Sequence, residues 1–228
     1  MQSYEVEVKS LLGAPEKADA LREALRAADP STVLVSKHTQ LNHYFEDGSL
    51  EALAPVLASH LSAEGRARLA DFAARAKSFS VRARETREGE KVKVLFVVKA
   101  SVGDDTSANG VARMELEEEL PLSLDALDQI ILSAGFIYQA KWSREREEYK
   151  ARGMSVTLDK NAGYGWLAEF ECVVDDESAL ASARAEIAAF MAELRVQELP
   201  QDRLERMFAY YNTHWPEYYG TDKIFTVE

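Results

Sequence analysis

Acidic and basic side chains recur at every second position in six segments of this chain. That spacing puts them on one face of a strand. Glu5, Glu7 and Lys9 alternate with Tyr4, Val6 and Val8. Arg82 and Arg84 oppose Val81 and Ala83. Lys91, Lys93 and Lys99 oppose Val92, Val94, Phe96 and Val98. Arg113, Glu115, Glu117 and Glu119 oppose Ala112, Met114, Leu116 and Leu120. Arg144 and Arg146 share a side with Trp142 and Glu148, and Glu169 and Glu171 oppose Ala168, Phe170, Cys172 and Val174. Carboxylates at Glu5, Glu7, Glu169 and Glu171 are hard oxygen donors of the kind magnesium or manganese takes. The planar forks of Arg82, Arg84, Arg144 and Arg146 suit phosphate oxygens. Together the two sets suit a polyphosphate neutralised by metal on one side and by guanidinium on the other.

In any single strand the same alternation describes an antiparallel sheet with one solvated face. Two features shift the reading. Acids gather on the first and last strands and bases on the middle ones. The helices are amphipathic and need apolar surface to cover, which turns the charged face inward. Buried charges must be paired or coordinate metal, so such an interior calls for a ligand.

Period-two alternation marks strands over Tyr4–Ser10, Thr39–Phe45, Phe79–Glu85, Lys91–Ala100, Val111–Leu120, Ala140–Lys150, Met154–Leu158 and Gly165–Val174. Helices are predicted over Glu16–Ala28, Ser49–Ser78 with a break near Gly65, Ser123–Ser133, Glu177–Arg195 and Gln201–Tyr211. Gly103–Gly110 reads as a loop between strands. Most connections are too short for a parallel crossover. The expected fold is therefore α+β: a closed eight-stranded antiparallel β-barrel with helices packed on its outside. Such a barrel has room inside for side chains or one small ligand.

The 228 residues carry a net charge of -12, with 46% hydrophobic and 29% charged residues. That acidity argues against a nucleic-acid partner, but cations gathered in one cavity still hold phosphate. No apolar run is long enough to span a bilayer, and Met1 to Lys9 does not read as a signal peptide. With a single cysteine, Cys172, no internal disulfide can form. A cytoplasmic protein without a membrane partner is the expectation. Barrels with one uncovered apolar strip often pair, so a homodimer is a further one.

Read in order, these motifs resemble those of CYTH domains, the triphosphate tunnel metalloenzymes. Glu5-Val6-Glu7-Val8-Lys9 is similar to the ExExK signature, and Arg82-Ala83-Arg84 to the RxR strand. Lys99 ends a hydrophobic strand, as the tunnel lysine does. Arg113-Met114-Glu115-Leu116-Glu117 resembles RxExE, and Arg144–Tyr149 the [K/R]xRxxY pattern. Leu158-Asp159, Gly163-Tyr164-Gly165 and Glu169-Phe170-Glu171 resemble the LD…G…ExE ending. The resemblance implies a tunnel that binds a small-molecule triphosphate with Mg²⁺ or Mn²⁺. It implies a metal-facing set of Glu5, Glu7, Asp159, Glu169 and Glu171. The implied phosphate-facing set is Lys9, Arg82, Arg84, Lys99, Arg113, Arg144 and Arg146. Of these residues Glu5, Glu7, Lys9, Arg82, Arg84 and Arg146 are the expected catalytic ones. Glu115 and Glu117 match acids that organise the bases or help bind metal.

The tunnel domain is expected over residues 1–198 with a helical insertion at about 46–78. Residues 199–228 form a C-terminal helix and aromatic tail of the same domain, which either plugs one tunnel end, with Lys223 reaching inward, or packs outside. Three functions follow: hydrolysis of tripolyphosphate or an organic or nucleoside triphosphate, an adenylyl cyclase of class IV, or a polyphosphate-binding module without turnover. Hydrolysis is favoured, because no base-reading motif is legible and a non-catalytic binder would not need the full acidic set. His38 and His43 are not at a convincing zinc spacing. Cys172 is expected to be a buried hydrophobe by parity, and no glycine loop of the Walker type occurs.

Overall fold

Valine, phenylalanine and alanine at alternate positions of the charged segments make each strand a two-faced element, and the computed structural model shows what covers the apolar face. It describes residues 4–101 and 113–227, without the side chains of Ser101, Arg113, Met114 and Glu177. In chain order the elements are β1 (Tyr4–Gly13), α1 (Pro15–Ala28), β2 (Val33–Glu46), α2 (Leu50–Leu57), α3 (Ala63–Arg75), β3 (Ser78–Glu88), β4 (Lys91–Ser101) and β5 (Arg113–Leu120). They continue with α4 (Leu124–Ser133), β6 (Ile137–Ala151), β7 (Met154–Asn161), β8 (Gly165–Val174), a 3₁₀ turn (Glu177–Ala179), α5 (Leu180–Glu193) and α6 (Gln201–Tyr218).

The fold is α+β, with eight strands in one antiparallel sheet of order β1-β8-β7-β6-β2-β3-β4-β5. Among the described residues no ladder joins β1 to β5, so hydrogen bonds do not close the sheet into the expected barrel. The chain divides into two compact units, one of residues 4–39 and 143–227 and one of residues 40–101 and 113–142.

In the first unit, Val6 and Val8 of β1, Val156 and Leu158 of β7, and Ala168 and Phe170 of β8 pack against α1 and α5. The helices supply Leu21, Leu25, Ile187 and Phe190, all buried. In the second unit, Val81, Ala83, Val94, Phe96, Val98 and Leu116 pack against Leu50, Leu53 and Leu57 of α2, Leu69 and Phe72 of α3, and Leu127 and Ile131 of α4. Each such Val, Leu, Ile or Phe side chain contributes about 1.5–3 kcal/mol when fully buried. The helices therefore cover the apolar face in both units, as the parity required. Cys172 lies on that face, half-buried rather than fully so.

The predicted helix over 49–78 is two helices, and its break lies at 58–62 rather than at Gly65. The Ser62 hydroxyl accepts from the Gly65 N–H at 3.0 Å and so caps α3, which places Gly65 inside the first turn. β2 starts at Val33, six residues before the predicted Thr39. α6 runs on past Pro216 to Tyr218, and the tail then docks on the turn between β7 and β8. Gly163 N–H donates to the Lys223 carbonyl at 2.9 Å and Phe225 N–H to the Gly163 carbonyl at 2.5 Å. Gly163 has φ +96°, and a Cβ there would lie 2.6 Å from the Tyr211 ring, so this turn needs glycine. Lys223 itself is exposed.

Candidate functional site

Register fixes the charged face of the first unit strand by strand. Residues directly opposite on antiparallel strands point the same way. Glu7 faces Glu171 and Lys9 faces Glu169 across β1 and β8. Glu171 faces Ser155, and Glu169 faces Thr157, across β8 and β7. Asp159 faces Arg146, and Thr157 faces Glu148, across β7 and β6. Glu5, Glu7, Lys9, Arg144, Arg146, Asp159, Glu169 and Glu171 thus share one face, away from α1 and α5.

The centre of this face is an ion-pair net. Asp159 is fully buried. Its Oδ1 accepts from Arg146 Nε at 2.7 Å, and its Oδ2 from Arg146 Nη2 at 2.5 Å and Arg144 Nη1 at 2.9 Å. Arg146 Nη2 also donates to Glu169 Oε2 at 2.8 Å, and Thr157 Oγ1 donates to the same oxygen at 3.3 Å. Lys9 Nζ lies 3.5 Å from Glu169 Oε1 and also pairs with Glu7. Burial pushes the Glu169 carboxyl up, but Lys9, Arg146 and Arg144 outweigh it and hold it down at about 2. Burial likewise works against the Arg146 charge, yet Asp159, Glu169 and Glu148 raise its pKa, so the guanidinium is permanently charged.

Carboxylates on this face fit a divalent cation in part. Glu7 stands opposite Glu171, with Glu5 two residues along. Like charges directly opposite destabilise a strand pair unless a cation lies between them. Magnesium commonly takes one or two protein carboxylates and completes its shell with water and substrate oxygens. Asp159, by contrast, has both oxygens engaged by Arg144 and Arg146. Among the described residues no three His, Cys, Asp or Glu side chains form a ready-made cage.

The second unit builds its charged face from β3, β4, β5 and the end of β2. Arg84 Nε donates to Asn42 Oδ1 at 2.8 Å, and its Nη1 to Glu117 Oε2 at 3.1 Å. Arg82 Nε donates to Ser80 Oγ at 3.2 Å, with its guanidinium 4.5 Å from the centre of the Tyr44 ring. Lys99 pairs with Glu115 at 3.2 Å and Lys93 with Glu119 at 3.2 Å. Glu115 and Glu117 thus each lie against a basic side chain of this face. Glu118, of the other parity, instead accepts from the Ser62 N–H at the start of α3. Arg113 opens β5, and its side chain lies outside the described residues.

Neutral members of these faces were not singled out by charge: Asn42, Tyr44, Ser80, Ser155 and Thr157. Parity alone was available to find them. His38 and His43 lie on opposite faces of β2. His43 Nδ1 is 2.7 Å from Asp128 Oδ2 under α4, and Tyr138 donates to the same oxygen at 2.7 Å. A cavity of about 230 Å³ lies where the tail meets the end of β1, lined in part by Lys17, Arg203 and Phe225. None of the expected site residues lines it. No described helix is long and apolar enough to cross a membrane.

Solved structures share the fold at low identity. One is a protein of Pyrococcus horikoshii OT3 with a TM-score of 0.59 and 21% identity, covering 87% of this chain and 94% of its own. A candidate adenylate cyclase from Vibrio parahaemolyticus has a TM-score of 0.59 and 18% identity, covering 92% and 99%. A candidate adenylyl cyclase from Hippeastrum, reported to have a dominant triphosphatase activity, has a TM-score of 0.51 and 15% identity, covering 90% and 95%. No curated protein matches the sequence. The family model of the CYTH domain matches residues 3–203, and this chain belongs to the CYTH domain family.

Proposed function

We propose that this protein is a metal-dependent triphosphatase acting on tripolyphosphate or an organic or nucleoside triphosphate. The observation that carries the reading is the ion-pair net of the first unit, where Lys9, Arg144 and Arg146 stand on one face with Glu7, Glu169 and Glu171. A triphosphate is the chemical complement of such a face: its oxygens replace carboxylates as partners of the cations. The freed carboxylates then face a divalent ion. Glu5, Glu7 and Glu171 would hold Mg²⁺ or Mn²⁺, with Glu169 beside them. When bound, the ion supplies charge neutralisation and a more acidic water. Arg146, held by Asp159, keeps its guanidinium aimed at the phosphate and stabilises charge on the transferred group. Arg82, Arg84 and Lys99 serve the same ligand class on the second unit's face, and Glu115 and Glu117 position them. A tunnel closed around the triphosphate, as the family resemblance implies, is part of this reading.

Adenylyl cyclisation is the second reading, favoured by the structural likeness to the Vibrio protein. Product identification separates the two. With ATP and Mg²⁺ or Mn²⁺, orthophosphate is the expected product. Cyclic AMP with diphosphate would select the cyclase. Binding of triphosphate with no product under either metal would select a binding module.

A further inference from the structure

Lys37 and His38 are neighbours on β2 and so point to opposite faces of the sheet. Lys37 Nζ reaches Glu147 Oε1 of β6 at 2.9 Å, and Arg22 of α1 donates to the same carboxylate at 2.8 Å. That contact places Lys37 on the helix-covered side of β6. His38 therefore lies on the other side, the one that carries Arg144, Arg146 and Glu148, with Asp159 opposite Arg146. β2 is next to β6 in the sheet, so no strand intervenes. The ring is half-buried, and its Nδ1 lies 3.2 Å from Ser36 Oγ on the same face of β2. This is an imidazole set beside the guanidinium pair that receives phosphate in the function proposed above. No charge-based motif marks it, and the family pattern of acids and bases does not include it.

We infer that His38 is the general base of this site, taking a proton from the water that attacks the terminal phosphorus. The inference rests on the triphosphatase reading. As the water oxygen bonds to phosphorus, the bond to the bridging oxygen breaks and its electron pair leaves on the diphosphate. The proton passes to the imidazole and from there to the departing diphosphate. The groups facing the ring suit that role. Burial disfavours the imidazolium, Arg146 and Arg144 add to the effect, and Glu148 and Asp159 oppose it; the balance lowers the pKa below 6.5. The ring is thus neutral at pH 7 and able to accept a proton.

The test is the pH dependence of kcat for tripolyphosphate with Mg²⁺, measured on wild type, His38→Gln and His38→Ala. Wild type is expected to lose activity on an acid limb with an apparent pKa below 6.5. Both variants should lose roughly 10²–10⁴-fold in kcat with KM changed little, and should lose that limb. Added imidazole should restore part of the His38→Ala rate. A His38→Gln enzyme with wild-type kcat and an intact limb overturns the inference. So does a loss of rate in both variants with the limb unchanged and no imidazole rescue. If wild type releases no phosphate from any triphosphate, the triphosphatase reading falls and His38 falls with it; the other two outcomes remove only His38.

Discussion

The charged faces of the two units are built from the same residue types but wired differently. In the first unit Arg146 donates to two carboxylates, Asp159 takes three hydrogen bonds from two arginines, and Glu169 is shared among Arg146, Lys9 and Thr157. In the second unit Arg84 pairs with Glu117 and Lys99 with Glu115, on carboxylates 40% and 34% exposed. Asn42, Ser80 and the Tyr44 ring complete the setting of the arginines. A buried shared net fixes geometry but is costly to break. Pairs made with a more exposed carboxylate cost less to exchange for a ligand. The difference teaches that buried Asp159 anchors the first unit's arginines, whereas the second unit's cations rest against more exposed carboxylates.

Four substitutions or conditions can break or sharpen that contrast. The largest effect is expected from Arg146→Ala, which leaves Asp159 buried with Arg144 still donating to it. It should cost about 3–5 kcal/mol of stability, read by chemical denaturation, as well as abolishing turnover. Arg84→Ala should cut turnover by roughly 10²-fold or more, as loss of a group that stabilises transition-state charge does. Its stability cost should be smaller than that of Arg146→Ala, because the carboxylate it releases is 40% exposed rather than buried. Equal stability losses in the two variants would erase the contrast between the units.

Next in size is an acid-dependent effect. The Glu169 carboxyl is held at about 2 in the folded chain against 4.5 when free. A depressed carboxylate contributes stability that is fully present above the free value and lost as pH falls through the folded one. That contribution is roughly 3 kcal/mol. Glu169→Gln should therefore be less stable than wild type at pH 7, and the gap should narrow as pH falls from 4.5 towards 2. A gap independent of pH over that window would show that Glu169 is not ionised within the net. The smallest effect is salt: Lys99→Ala should raise KM a few-fold at low ionic strength. That difference should shrink in 0.5 M salt, because half-exposed charges are screened.

Much of this was legible in the sequence for one reason: strand parity is rigid. Once Val6, Val8, Phe96 and Phe170 are assigned to a helix-covered face, Glu7, Lys9, Lys99 and Glu169 have only the other face left. Glu118 shows the same rule from the opposite side, since one step in register sends it to α3 while Glu117 meets Arg84. What escaped is what parity does not mark. The even positions of β2 from Leu34 to Tyr44 hold no acid, lysine or arginine, so His38, Asn42 and Tyr44 carried no ionic pattern. Gly65 looked like a helix breaker, but the Ser62 cap three residues earlier made it the third residue of α3. Closure of the sheet is set by pairing between distant strands, on which local alternation is silent; the ladders here stop at β1 and β5. Asp159, which the motif resemblance puts in the metal-facing set, accepts from Arg144 and Arg146 on its two oxygens, a pairing that spacing alone does not reveal.

The most direct measurement is phosphate release from tripolyphosphate by wild type, Arg84→Ala and Glu169→Gln, with and without Mg²⁺ or Mn²⁺, on samples shown to be folded by circular dichroism. The account predicts orthophosphate from wild type only when metal is present, and at least a 100-fold loss in each variant. Wild-type rates in both variants, one from each unit's charged face, would contradict it.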